Sequence, residues 1–132
     1  LIDRADKLID RIFNENCWII YGYKWGEYLY GVFIYESEGN PGSVDFNWKK
    51  VVRNAKKILG FSHTHPGGSP SPSAIDDTTM IGWVKALGKP LICGIEGNGR
   101  QKMYIYGRVE KKVECHEVSF KKIGHFIRIK IG

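Results

Sequence analysis

His63 and His65 stand one residue apart, and Asp76 follows eleven residues later. Residues 59–65 read as a short strand, and because strand side chains alternate faces, both imidazoles project the same way. The loop between them and Asp76 holds Pro66, Gly67, Gly68, Pro70 and Pro72, turn formers that let the chain fold back and bring the carboxylate near. Two nitrogen donors and one oxygen donor suit Zn²⁺, with the fourth tetrahedral position left for water. A closed structural site would want a fourth protein ligand, usually cysteine, and none is spaced for it. An open site of this kind activates water for hydrolysis. The bland alternatives are a His-x-His pair that merely packs, and a Ser73-Ala-Ile-Asp76 stretch that is only a helix capping box, in which the Ser oxygen accepts a backbone N–H and the acid suits the positive helix end. The conjunction of HTHP, a turn-rich loop and SxxD favours the metal.

The elements that position these groups follow from periodicity. Leu1, Ile2, Leu8, Ile9, Ile12 and Phe13 predict an amphipathic helix over 1–13. The runs CWIIYGYK and EYLYGVFIYE, rich in β-branched and aromatic residues, predict a hairpin. A turn at Gly39-Asn40-Pro41-Gly42 precedes a helix capped by Asp45, running through VVRNAKKI and ending near Leu59-Gly60. Ser73 caps a helix over 73–87 that Gly88 ends. A strand PLICGI, a hairpin turn at Gly97-Asn98-Gly99 and a strand QKMYIYGRV follow, and HFIRIKI at 125–131 alternates as a half-buried strand. Helices interleaved with strands indicate an α/β or α+β fold.

At 132 residues, with 42% hydrophobic and 26% charged content, the chain has the size and composition of a single domain over 1–132 that needs no disulfide framework. Cys17, Cys93 and Cys115 are odd in number and form no CxxC, which indicates thiols in a reducing, cytoplasmic compartment. The longest apolar run, residues 17–23, is far short of the roughly 20 residues of a membrane span, and no signal sequence opens the chain. The net charge of +6 is concentrated: residues 100–132 hold 9 Lys+Arg against 3 Asp+Glu, whereas residues 1–99 hold 11 of each. Such a segment attracts nucleic acid or acidic protein surfaces, or is the wet face of strands.

His63-Thr64-His65-Pro66, six residues, then Ser73-Ala-Ile-Asp76 resembles the HxHPx(6)SxxD motif of the JAMM (JAB/MPN+) zinc metalloproteases. That family also has a glutamate on its first strand, within ExCGxLxG. Glu15-Asn16-Cys17-Trp18-Ile19-Ile20-Tyr21-Gly22 is similar, and Glu15 is preferred over Glu27, Glu36 and Glu38, which fall at the hairpin's turn or far end. Trp18 replaces the usual Gly, bulk that is expected to narrow the groove or shift the strand. The resemblance spans residues 1–110 and implies a JAB/MPN fold, a mixed β-sheet sandwiched by the N-terminal helix and the helix after the metal loop. The long insertions of relatives specific for ubiquitin chains are missing, as in a compact prokaryotic-type member.

Carried over, His63, His65 and Asp76 hold Zn²⁺, Glu15 is the general base for the water and then protonates the leaving amine, and Ser73 donates to the oxyanion. The implied substrate is the C-terminal tail of a ubiquitin-like or sulfur-carrier protein, cleaved at an amide or isopeptide bond. A second reading comes from the loop HTHPGGSPSPSAID, which resembles the RadC branch of the same fold and, with the basic C-terminal quarter, suggests a DNA-repair-associated or nucleic-acid-binding role. A third is a catalytically silent scaffold, against which the complete ligand set argues. Thr64 is expected on the opposite strand face as packing, Asp77 at the surface or beside the site, and Cys17 on the same face as Glu15. His116 and His125 lack an acidic or thiol partner at ligand spacing. Trp18, Trp25 and Tyr28 are candidates for a peptide groove.

Overall fold

The computed structural model describes residues 16–38 and 48–132; the helix predicted over 1–13, the Gly39–Gly42 turn, the Asp45 cap and Glu15 lie outside them. Strands β1 (Asn16–Trp25) and β2 (Tyr28–Glu38) form the anticipated antiparallel hairpin. A short helix α1 (Trp48–Arg53) and a 3₁₀ turn (Ala55–Lys57) lead into β3 (Ile58–Thr64). Helix α2 (Ala74–Leu87) connects β3 to β4 (Leu91–Gly97), and β5 (Arg100–Val109), β6 (Lys112–Val118), β7 (Phe120–Ile123) and β8 (Phe126–Lys130) complete the described chain. The fold is therefore mixed α+β, as expected, but strand dominates.

All eight strands join one sheet in the order β6-β5-β4-β3-β1-β2-β8-β7. Only the central pair β3–β4 is parallel among the described strands. Their runs ILGF and LICGI are apolar throughout, because these stretches are covered on both faces. On one face, Val51 of α1 and Met80 and Val84 of α2 pack onto Cys17, Ile19, Phe61, Cys93 and Tyr106. On the other, Ile20, Phe33, Leu59, Ile92 and Met103 meet Ile127 and Ile129 of β8, with Trp18 and Phe120 at the margin. A helix thus covers one face, while among the described residues the other is closed by the sheet's own strands rather than by a second helix.

Two departures from the periodicity reading have physical causes. The helix expected to run to Leu59 stops at Arg53, and β3 already begins at Ile58. Asn54 turns back to the Lys50 carbonyl, and Lys89 donates to the carbonyls of Ala55 and Ile58 at 3.0 and 2.7 Å, satisfying acceptors that a longer helix would have used. Strands β6 and β7 were not anticipated. They are the two sheet edges, exposed and rich in charge, as edges protected against further pairing are. The basic C-terminal quarter is accordingly strand surface: Lys111 and Lys112 lie at the β5–β6 turn, Lys121 and Lys122 on β7, and Glu114 and Glu117 intervene on β6. The Gly97–Gly99 turn is as expected, with positive φ at both Asn98 and Gly99, the backbone a tight right-twisted hairpin demands. Among the described residues no helix is long and apolar enough to cross a membrane.

Candidate metal centre

β3 delivers His63 from the middle of the molecule. It pairs with Cys17 of β1 on one side and Ile95 of β4 on the other, and only 2% of its surface is exposed. His65 lies just past the strand, yet its N–H still reaches the Glu96 carbonyl at 2.7 Å, so the parallel pairing continues far enough to hold it on the same face. The loop then folds back as predicted, and Asp76 enters from the first turn of α2.

The three side chains meet. His63 Nε2 and His65 Nε2 are 3.0 Å apart; Asp76 places Oδ1 3.0 Å from the first and Oδ2 3.0 Å from the second. Donors bound about 2.0–2.1 Å from a tetrahedral ion lie roughly 3.3 Å from one another, so this triangle is within a few tenths of an ångström of a coordination face. Protonation chemistry points the same way. His65 Nδ1 is 2.9 Å from the Ser69 carbonyl, which can only accept, so Nδ1 carries the hydrogen and a neutral ring turns its Nε2 lone pair toward Asp76 Oδ2. A proton on Nε2 or a cation bound between the two groups satisfies this contact. His63, His65 and Asp76 therefore fit a divalent metal with N and O donors.

Asp76 remains ionised in this setting. Burial alone would raise its carboxyl, but hydrogen bonds to His63 and His65, the charge of His63 and the Ser73 backbone N–H outweigh burial and hold it well below the usual carboxylate range. His63 and Asp76 form the buried floor, while His65 is partly exposed and Ser73 exposed, so the centre opens to solvent on their side.

Ser73 is the N-cap of α2. Its Oγ accepts from the Asp76 N–H at 3.0 Å and its own N–H donates to Asp76 Oδ2 at 2.9 Å, a complete capping box. The box is thus part of the metal centre: it orients the ligand carboxylate, and the Ser73 hydroxyl hydrogen is left to donate elsewhere. Cys17 lies opposite His63 on the same face, in the core; the face expected to be shared with Glu15 involves a residue outside the described ones. Thr64 does more than pack, since its Oγ1 accepts the Asn16 N–H at 2.9 Å and ties the start of β1 to the ligand strand. Asp77 is half-buried and accepts a hydrogen bond from Tyr106.

Other expectations need correction. Trp18 cannot narrow a groove at the metal, because it pairs with Ser62 and sits on the opposite sheet face from His63, edge-on to Tyr35. A one-residue bulge against β2 falls between Cys17 and Trp18, while pairing with β3 stays in step there. Trp25 is 73% exposed at the hairpin turn and Tyr28 lies beneath Arg128, both at the end of β1–β2 remote from the ligands. His116 does have an acidic neighbour, Glu114 at 3.0 Å, in an exposed pair without a third ligand among the described residues.

Reading residues one at a time missed the groups that hold the loop. Tyr104 donates to the Pro70 carbonyl at 2.8 Å, and Gly97 leaves room for the Gly68 carbonyl. The available signal was the alternation Tyr104-Ile105-Tyr106, which puts two tyrosines on one strand face where each buried hydroxyl needs a partner.

The family of prokaryotic homologs of the JAB domain matches residues 7–121. The solution structure of protein DSY2949 from Desulfitobacterium hafniense is similar at 19% sequence identity with a TM-score of 0.42, over 88% of this chain and 84% of that one. No curated protein matches the sequence. With the family match extending over most of its length, the chain belongs to the prokaryotic JAB-domain family.

Proposed function

We propose that the protein is a zinc-dependent peptidase or isopeptidase that cleaves an amide or isopeptide bond at the C-terminal tail of a ubiquitin-like or sulfur-carrier protein. The observation that carries this reading is the His63–His65–Asp76 triangle with an open side, in a family that includes metalloisopeptidases. Zn²⁺ held by these three residues would supply Lewis acidity, making a water nucleophilic near neutral pH.

The chain's own residues do the rest. Asp76, kept ionised, contributes the negative charge that retains a dication, and the Ser69 carbonyl keeps His65 in the tautomer whose Nε2 can ligate. Glu15 takes a proton from the attacking water as the C–O bond forms and the carbonyl π electrons move onto oxygen, and returns it to the amine nitrogen as the carbonyl re-forms and the C–N bond breaks. Its place in the chain supports the role, because Asn16, the next residue, is tied to Thr64 between the two ligands. The Ser73 hydroxyl donates to the oxygen that gains charge in the tetrahedral transition state. An extended substrate tail lies across the open side of the centre at His65 and Ser73, with small residues passing the metal.

Purified protein is expected to hold one zinc per chain and to cleave a ubiquitin-like fusion, and Glu15→Ala is expected to abolish cleavage while retaining the metal. Loss of neither zinc nor cleavage in Glu15→Ala would remove Glu15 from the mechanism; absence of zinc from wild type would remove the whole reading. The cytoplasm is the proposed compartment, consistent with Cys17, Cys93 and Cys115 forming no disulfide.

A further inference from the structure

We infer that Tyr104 and Tyr106 of β5 are positioning residues for the metal ligands, one holding the loop at Pro70 and the other holding the first turn of α2 at Asp77. The inference rests on the metal-centre reading and adds to it the device that keeps the ligands together.

Both tyrosines project from β5 onto the face covered by α2. Tyr104 pairs with Cys93 and Tyr106 with Leu91, and both belong to the core cluster beneath that helix, 7% and 1% exposed. Phenylalanine would fill the same volume, so packing does not account for two buried hydroxyls, each of which costs free energy unless partnered. Both hydroxyls reach the metal-binding segment; Tyr104 is also hydrogen-bonded with Ser71 of that segment, and Tyr106 also with the Cys115 thiol of β6. Tyr104 donates to the Pro70 carbonyl at 2.8 Å, and Tyr106 donates to Asp77 Oδ1.

Pro70 and Asp77 each adjoin a residue that bears on the metal. Pro70 follows Ser69, whose carbonyl sets the His65 tautomer; Asp77 follows Asp76, the carboxylate ligand. Among the described residues, residues 69–72 make no backbone–backbone hydrogen bond, and Pro70 and Pro72 have no N–H to give. Tyr104, through Pro70 and Ser71, thus ties this stretch to the sheet. Spaced two residues apart on one strand, the hydroxyls hold the two ends of the segment at a set separation, and with them His65 and Asp76.

The test uses the full chain with Tyr104→Phe, Tyr106→Phe, Asp77→Ala and the Tyr106→Phe/Asp77→Ala double variant. It reads zinc affinity by chelator competition, the visible spectrum of the Co²⁺-substituted protein and the melting temperature of the metal-free protein. Each Phe variant is expected to bind zinc roughly tenfold more weakly, the lower end of what loss of an outer ligand support costs, with a shifted Co²⁺ spectrum. The double variant is expected to bind no more weakly than Asp77→Ala alone, because Tyr106 acts through Asp77. Wild-type zinc affinity and spectrum in both Phe variants would overturn the inference while leaving the metal centre standing. So would affinity losses that add in the double variant and merely follow the metal-free melting temperature. A wild-type protein that takes up no zinc would overturn the metal centre and this inference with it.

Discussion

The carbonyl oxygen of Gly68 lies 2.4 Å from where a Cβ on Gly97 would stand. Gly97 ends β4, the strand beside the ligand strand, and Gly68 is in the metal loop, so the absent side chain is what lets the loop lie down on the sheet. The next atoms a Cβ would meet, Ser69 C at 2.9 Å and Pro70 N at 3.0 Å, are also loop backbone.

Gly97→Ala is therefore expected to lift the loop rather than displace a flexible side chain. Overpacking of this kind costs about 1–3 kcal/mol, and the shift draws the Ser69 carbonyl away from His65 Nδ1. A lower melting temperature together with weaker zinc binding is the expected result of calorimetry and metal titration. An unchanged zinc affinity would show that the loop's seat on Gly97 is irrelevant to the ligands.

Ser73→Ala separates the two tasks of that residue. Losing the acceptor for the Asp76 N–H should cost about 1 kcal/mol of stability. If the hydroxyl also stabilises the oxyanion, cleavage of a ubiquitin-like fusion should fall by roughly 10²–10³-fold with zinc still bound. A melting temperature that drops while turnover stays at the wild-type level would reduce Ser73 to a helix cap.

Alkaline pH should expose the Tyr106 bond. Burial first, then the hydrogen bond to Asp77, push the Tyr106 phenol far above its ordinary range. Near neutrality the group is protonated in both folded and unfolded chains and contributes no pH dependence. Above about pH 10 the unfolded chain releases this proton while the folded one keeps it, so stability falls as pH rises, by up to about 1.4 kcal/mol per pH unit for one proton. Denaturant titrations between pH 10 and 12 should show a shallower decline in Tyr106→Phe than in wild type. Equal slopes would mean that the phenol ionises in the folded protein.

Much of the centre was legible because its chemistry is local in sequence. His63 and His65 share a face through strand alternation alone, and the capping box that starts α2 also places Asp76. The central strands were legible too, since ILGF and LICGI are short apolar runs bounded by turn formers. What could not be read depends on partners distant in the chain. Lys89 ends the helical stretch before β3 from more than thirty residues away, overriding the helix-forming residues Ala55, Lys56 and Lys57. The edge strands β6 and β7 carry the charge that edges need and so mimic solvated loop. The face taken by Trp18 follows from pairing with Ser62, and the tyrosine ties to Pro70 and Asp77 from a sheet order that places β5 beside β4.

The central claim is that two imidazoles and one carboxylate converge to hold a catalytic dication, and metal analysis of purified wild type beside His65→Ala tests it most directly. The account predicts one zinc per wild-type chain, removable by chelator and restored by added Zn²⁺, with cleavage lost and regained in step, and little or no zinc in His65→Ala. Wild type that stays metal-free in excess Zn²⁺, or His65→Ala that retains one zinc per chain, would contradict it.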